Sequence, residues 1–161
     1  MPSLLFVCTA NICRSPMAMA IFKSKITHDT ANWRIESAGT WAVEGMPASI
    51  NSQQVLADHQ IDLSYHLSRP IDVIDLDKFD LILVMEHGHK EAIQMEYPEV
   101  AGRVYLLWEM VGEKKDVHDP YGGRLVDYAD TAEEIDQILT KGMEKIKELA
   151  YKNERAKQKK K

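Results

Sequence analysis

The sequence predicts an α/β fold: a single-domain sandwich with a four-stranded parallel sheet flanked by helices, and a phosphate loop after the first strand. Three observations carry this. Short strand-type apolar runs alternate with segments of helical period along the 161 residues. One run, 80–85 (DLILVM), is continuously apolar, the habit of a strand buried on both faces of a parallel sheet. The first run, Leu4-Leu5-Phe6-Val7, passes through a tight loop into a helix start at Ser15-Pro16, a favoured N-cap followed by a favoured first helical residue.

The elements follow in order. After the loop, Met17, Ala20 and Ile21 share one helical face. Residues 33–37 (WRIES) form the second strand, Ser37-Ala38-Gly39 a turn and 40–47 a loop. A helix is predicted over 48–59, with Ile50, Val55 and Leu56 facing inward. The strand at 80–85 precedes a helix at 86–95 and a fourth strand at 103–107 (RVYLL). A loop through Lys114 and Lys115 leads to Asp119. Residues 131–150 predict one long helix opened by a capping box of Thr131 and Glu134. Its stripe is Ile135, Leu139, Gly142, Met143, Ile146 and Leu149. Strand–helix alternation implies right-handed crossovers, and ligands of such sheets sit outside the carboxyl ends of the strands, where Cys8 lies.

The length suits one domain with a real core. The apolar stretch 4–7 is too short for a signal peptide and lacks a basic leader, and no run approaches transmembrane length, so no membrane partner is expected. A net charge of −5 argues against general nucleic-acid binding. Residues 151–161 are the exception, a basic C-terminal tail of net +5 that is expected to be a frayed, solvated helix end. The two cysteines, Cys8 and Cys13, form neither a secreted disulfide framework nor a zinc site. A reduced, cytoplasmic setting fits.

The loop has the spacing C-x5-R, Cys8 to Arg14. A loop that winds into a helix N-terminus turns successive N–H groups inward and can hold a dianionic phosphate. Arg14 can close this cradle with a two-pronged hydrogen bond. The groups that attract phosphate also stabilise a thiolate, so the Cys8 thiol is expected to fall well below its free pKa of about 8.5 and to act as a nucleophile. Ser15 is near enough in sequence to donate to that sulfur. The Gly-Lys-Ser/Thr ending of nucleotide-binding P-loops is missing.

Val7-Cys8-Thr9-Ala10-Asn11-Ile12-Cys13-Arg14-Ser15-Pro16 resembles the active-site loop of the low-molecular-weight protein tyrosine phosphatases, and Asp119-Pro120-Tyr121 resembles their second motif. The resemblance implies a phosphatase domain over 1–150 and metal-independent hydrolysis of a tyrosine-phosphorylated protein, with no cofactor. It implies that Cys8 is the nucleophile and Arg14 the phosphate clamp. It makes Asp119 the general acid that protonates the leaving oxygen and the base for the hydrolytic water. Thr9, Ala10, Asn11, Ile12, Cys13 and Ser15 would line the phosphate site. Trp41 and Tyr121 would wall a slot too deep for phosphoserine. Asn11 would be held by Ser37 and His66 in a supporting layer, and tolerates an unusual backbone angle. A reversible Cys8–Cys13 disulfide would guard the nucleophile.

Several positions discriminate. Ala10 replaces the usual glycine, which requires a negative backbone angle there. Gly122 replaces the second tyrosine that many relatives carry after Asp-Pro. A related branch hydrolyses phosphoarginine and usually has threonine where this chain has Ile12, whose apolar surface favours an aryl ring. Asp119-Pro120-Tyr121-Gly122-Gly123 instead resembles that branch. The alternatives are thus a protein-arginine phosphatase, an arsenate reductase (which needs further cysteines) and a non-catalytic phosphate-binding module. His87 and His89 lack supporting ligands for a metal and are expected on a solvated helix face, so no metal is expected.

Overall fold

The computed structural model describes all residues, 1–161. Its sheet has four parallel strands, β1 (Ser3–Cys8), β2 (Arg34–Gly39), β3 (Leu81–Val84) and β4 (Val104–Leu106), in the order β2-β1-β3-β4. This is the expected sheet. β1 is central and wholly buried, with Cys8 opposite Gly39 and Val7 opposite Val84. The chain leaves β1 toward β2, then crosses to β3 on the other side. The carboxyl ends of β1 and β3 therefore form the switch point where ligands of such sheets bind.

Period-two alternation splits the core into two layers. Leu4, Phe6, Leu81 and Leu83 pack with helices α1 (Arg14–Lys25), α4 (Leu125–Lys141) and α5 (Met143–Lys159). Leu5, Val7, Ile82 and Val84 pack with Ile93 of helix α3 (His87–Glu96) and with Phe79 and Val100.

Several expectations change. Helix α1 begins at Arg14 with Cys13 at its N-cap and no side-chain cap. Ser15 lies inside the first turn, where its hydroxyl serves the loop instead, and Pro16 is tolerated because first-turn N–H groups have no helical partner. Helix α2 (Ile50–Ala57) is capped by Ser49, whose Oγ accepts the Ser52 N–H at 3.2 Å. Its buried face is Ser52, Val55 and Leu56, which turns Ile50 outward at 84% exposure. The expected Ser37-Ala38-Gly39 turn is the end of β2, held by pairing to β1.

The long helix is two helices. Thr131 is interior to α4, and the N-cap is Arg124, whose N–H donates to Asp127 at 2.7 Å. The chain breaks at Gly142, where a Cβ would lie 2.8 Å from Met110 Cβ and 2.9 Å from Ile138 O. The stripe Ile135, Leu139, Ile146 and Leu149 is buried as expected, but it belongs to two helices. Residues 151–159 continue α5 as helix. Asn153 donates to Asp80 O at 2.8 Å, and Lys157 pairs with the buried Asp80 carboxylate at 2.7 Å.

Candidate active site

Asn11 shapes the loop after β1. It is fully buried with φ +57°, the left-handed region that asparagine tolerates, while Ala10 keeps a negative φ and so accommodates its methyl. Asn11 Nδ2 donates to Ser15 Oγ at 2.8 Å and to Ser37 Oγ at 3.0 Å. Its Oδ1 accepts the Arg69 N–H at 3.0 Å. Its carbonyl accepts from His66 Nε2 at 2.7 Å, which fixes the proton of that buried ring on Nε2. Burial lowers the His66 pKa, partly offset by this hydrogen bond.

Cys8 closes β1, with its Sγ 3.0 Å from Ser15 Oγ. Ser15 Oγ already accepts from Asn11, so its own single proton is available to Cys8 Sγ or to Ala38 O at 3.3 Å. A thiolate is the stronger acceptor of the two. Thr40 N and Trp41 N donate to Cys8 O and Thr9 O, each at 2.9 Å, so the next loop is bonded to this one. That approach requires glycine at 39, because a Cβ there would lie 2.4 Å from Thr9 O.

Arg14 ends the loop as a guanidinium only 2% exposed. Its Nη1 donates to Val117 O at 2.9 Å, and its Nη2 lies 2.7 Å from Glu86 Oε2 and 3.4 Å from Asp119 Oδ2. Asp119 is half exposed and accepts the Tyr121 N–H at 3.1 Å. Trp41 and Tyr121 are exposed on the two loops that flank the cradle, and Ile12 is half buried against the core. The structure thus brings Cys8, Arg14, Ser15 and Asp119 together with the Asn11–Ser37–His66 layer. A buried basic group, a thiol and a half-exposed carboxylate can together hold an oxyanion, attack it and shuttle a proton.

A family model of the low molecular weight phosphotyrosine protein phosphatases matches residues 3–153. The chain belongs to this family. It is 35% identical over 145 residues to a protein-arginine-phosphatase of Bacillus subtilis, covering 89% of this chain and 96% of that one. It is 37% identical over 136 residues to the low molecular weight protein-tyrosine-phosphatase PtpB of Staphylococcus haemolyticus, covering 84% and 94%. A crystal structure of a low molecular weight protein tyrosine phosphatase from T. tengcongensis matches with a TM-score of 0.84 at 42% identity, over 90% of this chain and 99% of that one.

In this member of the low molecular weight phosphatase family both thiols are free. Cys13 Sγ faces Ser49 Oγ at 3.6 Å and Tyr128 Oη at 3.8 Å. Burial raises the Cys13 pKa, and burial together with the Cys13 contact pushes Tyr128 up to about 12. Two residues at the cradle are not assigned to it by the sequence, Glu86 and His89. His87 is exposed and pairs with Asp116 at 2.7 Å, which accounts for that carboxylate. His89, expected on a solvated face, is 6% exposed, and its Nε2 lies 2.8 Å from Thr9 Oγ1. Their position just past a continuously apolar strand was the available signal.

A cleft of about 1020 Å³ opens at the opposite, amino-terminal edge of the sheet, by Ser3 and Asp80. Two of its carboxylates are paired, Asp80 with Lys157 and Asp77 with Arg103 at 2.5 Å. It lies apart from Cys8, Arg14 and Asp119, none of which lines it.

Proposed function

We propose that this protein hydrolyses phosphotyrosine in proteins without a metal, through a phosphocysteine intermediate. The observation that carries the reading is the approach of Asp119, from a distant loop, to 3.4 Å from the arginine of the Cys8 loop. The N–H groups of the loop from Thr9 to Ser15 and the Arg14 guanidinium hold the phosphoryl oxygens, and the Cys8 thiolate attacks phosphorus. As the phosphorus–oxygen bond to tyrosine breaks, Asp119 gives its proton to the leaving oxygen. Water then attacks phosphorus, Asp119 takes its proton, and the sulfur–phosphorus bond breaks to return the thiolate and inorganic phosphate. Ser15 shares its proton with the thiolate each time it is released. Trp41, Tyr121 and Ile12 form an apolar mouth suited to an aryl group.

The chemistry needs Cys8 reduced, which suits the cytoplasm. A disulfide with Cys13 remains part of the proposal as a protective state. It requires Cys13 to leave Ser49 and Tyr128. The second reading is a protein-arginine phosphatase, supported by the Bacillus subtilis relative and by two carboxylates, Glu86 and Asp119, around Arg14. Ile12 weighs against it, since an apolar side chain offers a guanidinium no acceptor.

The test is kcat/KM on a phosphotyrosine peptide and a phosphoarginine peptide, side by side with EDTA. Strong preference for phosphotyrosine is expected. The reverse preference would establish the second reading, and activity on neither would leave a phosphate-binding module.

A further inference from the structure

The first turn of α3 grips both ends of the phosphate loop. Glu86, the N-cap, donates its backbone N–H to His89 Nδ1 at 3.1 Å. This is a capping-box bond, with histidine in the place usually taken by Glu or Gln. Because Nδ1 accepts, the neutral ring carries its proton on Nε2, and that N–H donates to Thr9 Oγ1 at 2.8 Å. Thr9 is the residue after the nucleophile. The Glu86 side chain turns to Arg14 at the loop's other end, with Oε2 at 2.7 Å from Nη2 and 3.6 Å from His89 Nε2. The Asn11–Ser37–His66 layer supports the middle of the loop, and none of its hydrogen bonds runs to Thr9 or the Arg14 guanidinium.

We infer that His89 is a positioning residue for the transfer step, acting through its hydrogen bond to Thr9, while Glu86 sets the angle of Arg14 from the same helical turn. The physical reason is pre-organisation. Cradle donors aimed at the transferring phosphoryl group cost nothing to orient at the moment of reaction, and a small misplacement of them is expensive. His89 can do this only as the neutral ring, because protonating Nδ1 removes the acceptor of the Glu86 N–H. Burial lowers the His89 pKa. Of the charged groups facing it, Glu86, Asp116 and Asp119 oppose that shift and Arg14 adds to it. The ring therefore stays neutral to below the ordinary histidine range, and the device is lost in acid.

The inference rests on the phosphatase reading for its activity arm. The test compares Thr9→Val, His89→Leu, the double variant and His89→Gln on an aryl phosphate. Each of the first two should lower kcat about tenfold with little change in KM, and the double variant should lose about tenfold rather than about a hundredfold, because one bond is removed in all three. His89→Gln keeps an amide oxygen for the Glu86 N–H and an amide N–H for Thr9. It should restore kcat at neutral pH and remove one acid-side ionisation from the kcat profile. A histidine that serves only to stabilise α3 would lower the melting temperature, yet its loss would multiply with that of Thr9→Val. Multiplying losses, or an unaffected Thr9→Val, overturn the inference. Should the wild-type protein turn over no phosphate ester, the phosphatase reading alone fails. Orthovanadate, which takes the five-coordinate shape of a transferring phosphoryl group, then serves as probe. Calorimetry should show it bound about tenfold more weakly by Thr9→Val and His89→Leu, again without multiplication in the double variant, and equal binding overturns the inference.

Discussion

Arg14 Nη2 stands 3.4 Å from Asp119 Oδ2, although Arg14 opens the helix after β1 and Asp119 lies on a loop beyond β4. The guanidinium is nearly out of solvent and is also bonded to Val117 O and Glu86. A buried fork with three neighbours is fixed in direction, which is what recognition of a tetrahedral anion requires. Arg14→Lys retains the charge and loses the fork. It should lower kcat/KM by about a hundredfold or more, and steady-state kinetics within tenfold of wild type would contradict the clamp role.

Cys8→Ser should abolish turnover while inorganic phosphate still binds, because the cradle is built by other residues. Calorimetry with phosphate and a turnover assay on one preparation check both halves. Substantial residual turnover would sink the nucleophile assignment.

Asp119→Ala removes the proton donor for the leaving oxygen. The loss in kcat/KM should be greatest for poor leaving groups and small for aryl phosphates whose phenols are already acidic. A linear free-energy series of substituted phenyl phosphates measures this, and equal losses along the series would count against the acid role.

His66 is 5% exposed, and burial lowers its pKa below 6.5. The unfolded chain therefore binds the proton more readily than the folded one. The stability contribution is complete above about pH 6.5 and is lost as pH falls through the lowered folded value. His66→Gln keeps a donor for Asn11 O and removes the titration. Its melting temperature should fall less between pH 7.5 and pH 5 than that of the wild type, and an equal fall would show that other groups control acid sensitivity.

Gly142→Ala should destabilise the fold without changing kcat. The added Cβ would meet Met110 Cβ at 2.8 Å, closer than real contacts allow, and overpacking of this kind costs about 1–3 kcal/mol. Gly142 joins two helices rather than lying inside one, so alanine's helix propensity gives nothing back there. A lower denaturant midpoint is the expected result.

What the sequence determined by itself was local. Apolar runs set the four strands, and the alternation of strand and helix set their parallel direction. The spacing of Cys8 and Arg14 between a strand and a helix marked the loop, and Asn11 marked its one left-handed residue. Asp119, Ser37 and His66 were found through the resemblance of two motifs, since nothing in their own neighbourhoods distinguishes them from turn or surface residues. The tertiary structure decided the rest. Ser15 looks like a cap until Asn11 and Cys8 are packed against its hydroxyl. Residues 131–161 look like one helix and a basic tail until Met110 presses on Gly142 and Asp80 receives Lys157. His89 looks solvated until β3 is laid beside β1, which carries the turn after β3 onto Thr9 and Arg14. Periodicity and capping preferences are set by neighbours within a few residues of each other. Burial and pairing are set by strands that meet in space, and only those contacts decide which polar side chains leave water.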